Sequence, residues 1–259
     1  SSYAMILFII LCQNLVYNER IKIIIYLTDE SPISKEGACV SILTRLGFFD
    51  ALPSNITFHP VRPELSEHLI GSNVGILELS KFNNQDQGLE LIEAAEKAIL
   101  SNTDYSEEQV KDICVMISEL MQNIFYHSEA KRSSLIAIQR YPKINLLQVS
   151  VADSGVGIPE TLRRLKKHKD IQEDFMIIFE SLKRKISQFE EDQERGEGLL
   201  NCRNLAKKHK ACLYIRSNCG YIKIDFTNKP EIYGDDTYEL PGTQIYLNFP
   251  MTNNQDLYF

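Results

Sequence analysis

Glu119-Leu-Met-Gln-Asn123-Ile-Phe-Tyr-His127 opens the part of this chain that decides its reading, followed by Asp153-Ser-Gly155-Val-Gly157-Ile158-Pro and Arg195-Gly196-Glu-Gly198-Leu199-Leu-Asn. In the first stretch a carboxylate, a carboxamide and an imidazole recur every four residues, so each lies about 40° further round a helix than the last. They form a polar stripe flanking an apolar face, where a ligand could sit between helix and loop. An Asn oxygen is a hard ligand suited to Mg2+, which takes few protein ligands and several phosphate oxygens. Glu119, one turn away, can accept a proton from water or a hydroxyl. Taken alone, the stripe reads first as a solvated helix face.

Asp153 ends the alternating strand Leu147-Gln-Val-Ser-Val-Ala152. A carboxylate at that place can accept a hydrogen bond from an exocyclic amine such as that of adenine, and the glycines let backbone approach a flat base. The same residues also suit an ordinary strand-to-helix turn. Arg195 to Leu199 opens a further helix, whose unpaired N–H groups and dipole favour phosphate. A lone Gly-x-Gly is weak by itself. It is not a Walker A loop, which needs Gly-Lys-Ser/Thr, nor a dinucleotide fingerprint, which follows a strand.

The surroundings supply a frame. Ser106-Glu-Glu-Gln109 fits a capping box, and Val110, Ile113, Cys114, Ile117, Leu120, Met121 and Ile124 make one face of the helix that follows. Two strands are predicted near 133–140 and 145–152, then a long helical insertion from Glu160 to about Glu191. A helix starts at Gly198, and strands follow near 211–217, 221–226 and 243–249. This order predicts an α/β sandwich with a helical layer on a mixed sheet. Upstream, residues 3–16 read as a buried helix, 21–27 as a buried strand, 35–46 as a helix, 56–61 and 74–79 as extended, and the region of 90–100 as helical. The polar segment Ser101-Asn-Thr-Asp-Tyr105 is the candidate boundary, dividing a small α/β domain (1–102) from the main domain (103–259).

Composition sets limits. With 44% hydrophobic and 24% charged residues, the 259-residue chain is an ordinary globular sequence without low complexity. A net charge of −7 argues against broad binding to nucleic acid or anionic membrane. The apolar run Tyr3 to Cys12 is too short to span a bilayer. Scattered cysteines without ligand spacing predict reduced core thiols in a cytoplasmic protein. The basic runs Arg163 to Lys169 and Lys207 to Lys210 read as solvated helix faces, offset by Glu190-Glu-Asp-Gln-Glu194.

The three motifs in this order resemble the nucleotide-binding boxes of the GHKL (Bergerat-fold) ATPase superfamily. Leu240-Pro-Gly242-Thr243-Gln-Ile-Tyr-Leu resembles the closing Gly-Thr strand of its kinase branch, so the likeness spans roughly 104–250. The resemblance implies ATP and Mg2+ as cofactors and a role for each matching position. Asn123 would hold Mg2+ and Glu119 would act as general base. His127 would lie near the phosphates. Asp153 would bind adenine, in a pocket shaped by Gly155, Gly157 and Ile158 and supported by Thr243. Arg195, Gly196, Gly198 and Leu199 would meet the phosphates from a lid formed by part of 160–197. The second glycine box departs from the family, reading Gly-Glu-Gly rather than a run of three glycines.

Within the superfamily, a sensor histidine kinase needs a phosphoacceptor His on an upstream helix; His59 precedes a proline, and His68 lacks a two-helix setting. Gyrase-like machines need a further domain beyond the ATP fold. The chain is closest in kind to anti-sigma-factor serine/threonine kinases, which implies a regulatory or substrate protein as partner and allows a homodimer. Its first hundred residues loosely resemble a STAS-like module, in which a Ser at a helix start, here Ser1 or Ser2, would be the phosphate acceptor. A nucleotide-gated interaction switch, or a slow ATPase, is the alternative.

Overall fold

In the computed structural model, which describes residues 1–27, 35–64, 77–129, 134–165, 168–183, 197–227 and 230–251, the chain is organised by strands buried on both faces. β3 (Leu77–Phe82), β4 (Ser134–Tyr141), β5 (Leu146–Ala152), β6 (Cys212–Asp225) and β7 (Ile232–Pro250) form one sheet in the order β3-β4-β5-β7-β6. Each pairing is antiparallel, where a mixed sheet was expected. The link between β4 and β5 shows why: a turn at Pro142–Ile144 can only send the chain back alongside itself.

Alternation along the strands divides the core in two. Ile136, Ile138, Leu147, Val149 and Val151 face the helical layer of α4 (Gln85–Asn102), α5 (Glu107–His127), α7 (Asp174–Ser181) and α8 (Gly198–Lys208). Leu135, Ala137 and Ala152 face the other way, onto a core built with α1 (Ser2–Gln13), α2 (Lys35–Arg45) and α3 (Phe48–Ala51). α1 is apolar nearly all round because it lies between the sheet and its N-terminal neighbours. Among the described residues no helix is long and apolar enough to cross a membrane.

β6 doubles back on itself. Its 14 residues would span roughly 46 Å if straight, yet the N–H of Phe226 donates to the carbonyl of Ala211 at 3.2 Å. The turn falls at Asn218-Cys219-Gly220, with Asn218 at φ +53°. The stretches expected near 211–217 and 221–226 are its two arms, and β7 pairs with both.

The N-terminal portion differs more from expectation. The strand predicted over 21–27 shortens to β1 (Ile24–Tyr26), which pairs in parallel with β2 (Thr57–His59). It is covered on one face only: Ile23, Ile25 and Leu27 pack against the N-terminal core, while Ile24 is 41% and Tyr26 70% exposed. β3 and α4 precede the expected boundary at 101–105 but belong to the main sheet and its helical layer, and α4 leads directly into α5. α1, the first helix of that portion, is anchored to the sheet by its start. The Ser2 hydroxyl donates to Gln148 Oε1 (2.8 Å) and lies 2.9 Å from Ser150 Oγ. Ser2 is therefore wholly buried, while exposed Ser1 caps the helix through the N–H of Ala4. A phosphate acceptor at Ser2 does not fit this packing.

Over its described part, the helical insertion expected from Glu160 to about Glu191 consists of two helices, α6 (Gly157–Arg163) and α7, and Arg163 reaches across to the residues just before α7. Its guanidinium donates to the carbonyls of Ile171 and Gln172 and pairs with Asp174 at 2.7 Å. Arg164 pairs with Glu129, and Lys208 bridges Glu108 and Asp112, so part of both basic runs is spent on contacts within the chain. Residues 184–196, with the acidic run, lie outside the described residues.

Candidate functional site

α5 begins as predicted. Ser106 and Gln109 form a reciprocal capping box, and Val110, Ile113, Ile117, Leu120, Met121 and Ile124 are buried in the core. This fixes the helix's rotation and leaves Glu119, Asn123 and His127 half-buried along its flank. The helix ends at Ser128, whose carbonyl accepts the N–H of Val156 at 2.7 Å and joins α5 to the turn after β5.

That turn is held from several sides. The N–H of Asp153 donates to Thr243 O (2.9 Å), and the N–H of Gly155 donates to Asp153 Oδ1 (2.7 Å). Asp153 is 2% exposed. Loss of hydration pushes its carboxyl up to about 7, although the backbone N–H groups of Gly155 and Thr243 act in the opposite sense. Gly157 begins α6 at φ +82°, and a Cβ there would lie 2.5 Å from Asn218 Oδ1. The next N–H, of Ile158, donates to Ser217 Oγ (2.9 Å), which itself donates to Gly242 O (2.8 Å) and lies 3.0 Å from Thr243 Oγ1.

The third wall is the start of α8. A Cβ on Gly198 would stand 2.7 Å from Glu119 Oε2 and 3.5 Å from Asn123 Nδ2, so glycine lets the helix terminus come against α5. The preceding Glu197 does not cap it through its side chain. Asn201, one turn in, donates from Nδ2 to Glu119 Oε1 at 3.2 Å. Buried Asn123 Nδ2 makes no hydrogen bond within the described residues.

These walls enclose a cleft of about 790 Å3, counting space open to solvent. Asn123, His127, Asp153, Gly157, Ile158, Gly198, Leu199 and Thr243, all picked from the sequence, line it together. Glu119 stands at its α8 end, and Gly155 lies behind the turn. Arg195 and Gly196 fall outside the described residues. Sequence reasoning missed the supporting residues: Ser217, Asn218 and Asn201, and the lining residues Ser128, Thr161 and Ser181. Asn201 closes the Arg195-Gly-Glu-Gly198-Leu-Leu-Asn stretch that opens α8. Ser217 and Asn218 carried no local signal, since they meet the turn only through the sheet.

A helical layer on an antiparallel sheet, with a cleft at the turn after β5 bounded by a glycine-opened helix, defines a nucleotide-binding domain of the Bergerat type. Residues 108–253, more than half of the chain, match the family described as histidine kinase-, DNA gyrase B-, and HSP90-like ATPase, and the chain belongs to that family of ATP-binding domains. Among solved structures it is similar to the topoisomerase IV ATP-binding domain of Francisella tularensis in complex with a small-molecule inhibitor. The identity is 13% over 71% of this chain and 47% of that one, with a TM-score of 0.28, so the chain spans less than half of that structure's length. No curated protein matches it.

Proposed function

We propose that the protein binds Mg2+-ATP in this cleft and transfers the γ-phosphate to a serine or threonine of a partner protein, as the resemblance to anti-sigma-factor kinases implies. The observation that carries the reading is the placement of the Glu119 carboxylate at the glycine-opened terminus of α8, one turn from Asn123. A phosphate at that terminus would meet backbone N–H groups and the positive end of the helix. Glu119 would then stand beside the terminal phosphate, where it can take the proton of an attacking hydroxyl. Asp153, at the opposite end, would accept the adenine amine.

Asn123 fits a Mg2+ site. Its buried carboxamide has an unpartnered nitrogen, and the amide can turn its oxygen toward an ion shared with phosphate oxygens. Among the described residues no group of three His, Cys, Asp or Glu side chains could hold a metal alone, so phosphate oxygens would complete the shell. The ion would neutralise charge on the phosphates.

One contact favours the second reading, a nucleotide-gated switch. Ser181 at the end of α7 lines the cleft, while the start of α7 is fastened to β7 through Asp235. A displacement of α7 by nucleotide would therefore reach the β6–β7 surface. Calorimetry of ATP binding with and without Mg2+, for wild type, Asp153→Ala and Asn123→Ala, tests the site. γ-Labelled ATP then separates the reactions: label on protein supports transfer, free phosphate supports hydrolysis, and nucleotide-dependent association without either supports the switch. Absence of ATP binding by wild type would sink all three.

A further inference from the structure

α8 meets α5 along a seam that is apolar at Cys202 and Ala206, both wholly buried, with Leu205 packed against the same core. Asn201 interrupts this pattern with a carboxamide at the end of the seam nearest the cleft. A polar residue there has a bland explanation, a hydrogen bond that fastens two helices. The geometry is more specific than that. Asn201 Nδ2 reaches Glu119 Oε1 at 3.2 Å, while the other oxygen, Oε2, is the one that would meet a Cβ on Gly198 at 2.7 Å. One carboxylate oxygen is thus engaged from behind, and the other is presented to the terminus of α8.

We infer that Asn201 is the positioning residue for Glu119. By holding Oε1 it fixes the carboxylate's rotation about its terminal bond, which is otherwise broad. That leaves Oε2 as the oxygen that accepts the proton of the attacking hydroxyl or water. Asn201 sits on the same helix turn that would carry the phosphates, so the acceptor oxygen and the phosphate cradle are set by one rigid element. This inference rests on the reading of Glu119 as the general base.

The test compares Asn201→Leu, Glu119→Gln and the double variant, with water as acceptor and release of labelled phosphate from ATP as the readout. Asn201→Leu keeps the number and branching of the side-chain heavy atoms and removes the donor. It is expected to lower kcat by roughly tenfold, the scale of one hydrogen bond to a charged group, while ATP affinity by calorimetry stays within about twofold. In the Glu119→Gln background the same substitution is expected to cost nothing further, because residues that act as a unit are not additive. Asn201→Ser, which restores a donor on a shorter side chain, is expected to recover part of the rate.

An unchanged kcat in Asn201→Leu overturns the proposal. So does an equal fall in rate and ATP affinity, which would mark Asn201 as a mere fastener of α8, and so does a further fall from Asn201→Leu in the Glu119→Gln background as large as the one it causes in wild type. Failure of the underlying reading shows separately, as a Glu119→Gln variant that releases phosphate as fast as wild type.

Discussion

The carbonyl oxygen of Ser128 lies 1.9 Å from the position a Cβ on Gly155 would occupy. No side chain fits that gap, and the crowding atom is backbone, so it cannot move aside. The contact exists because the N–H of Val156 bonds this same oxygen at 2.7 Å, which draws the turn onto the end of α5. Gly155→Ala must push the turn off Ser128, separating Asp153 from Asn123 and His127. Loss of ATP binding by more than tenfold is expected, together with a fall in Tm. An alanine variant that binds ATP as well as wild type would show that the turn is not anchored there.

Asp153 provides a pH test. Its ordinary value is 3.8 and burial raises it to about 7. A carboxyl whose pKa is higher in the folded protein contributes stability that is fully present below pH 4 and is lost as pH rises through 7. Without nucleotide, Asp153→Asn should therefore melt above wild type at pH 8, with the gap narrowing toward pH 4. ATP binding runs the opposite way, because an amine donor selects the ionised carboxylate. Wild-type affinity should fall below pH 7, by at most about tenfold per pH unit, and the Asn variant should lack that dependence. A flat affinity from pH 8 to 5.5 would mean that the carboxylate does not touch the base.

What the sequence made legible was what repeats locally. The capping box at Ser106 and the apolar spacing of α5 fixed where Glu119, Asn123 and His127 point, because 3.6-residue periodicity needs no distant partner. The alternation around Leu147 to Ala152 did the same for Asp153. Ser217 stayed hidden because it reaches the turn from β6, 59 residues beyond Ile158, through a sheet register that no local pattern encodes. The hydrophobic run at 21–27 misled for a related reason. Its period fits a buried strand, but full burial requires a covering layer on both faces, and Ile24 and Tyr26 are exposed.

Asp235 marks where the cleft's wall is fastened. Its two carboxylate oxygens accept the N–H groups of Asp174 (3.2 Å) and Phe175 (2.9 Å), capping α7 from another element. Asp235→Ala should cost about 1 kcal/mol, as loss of a helix cap does, and lower Tm by roughly 2–4 °C. Amide exchange should rise first over 174–181, before the core strands. Uniform acceleration across the chain would show instead that α7 and the sheet open as one unit.

Ser217 gives the sharpest separation between fold and site. It is wholly buried, and its hydroxyl joins three elements by accepting from Ile158 at 2.9 Å, donating to Gly242 at 2.8 Å and lying 3.0 Å from Thr243 Oγ1. Ser217→Ala leaves the part-buried Ile158 N–H without that acceptor, a loss of about 1 kcal/mol. Ser217→Thr keeps the hydroxyl but must find room for a methyl in a packed site, at a similar cost. Both variants should melt lower than wild type, yet only the alanine releases the start of α6 from the sheet. ATP affinity should therefore fall in Ser217→Ala and hold in Ser217→Thr, measured by calorimetry at a temperature where both are folded. Equal affinities would mean that α6 is held by Asn218 and the Ser128 contact alone, with Ser217 serving stability and not the cleft.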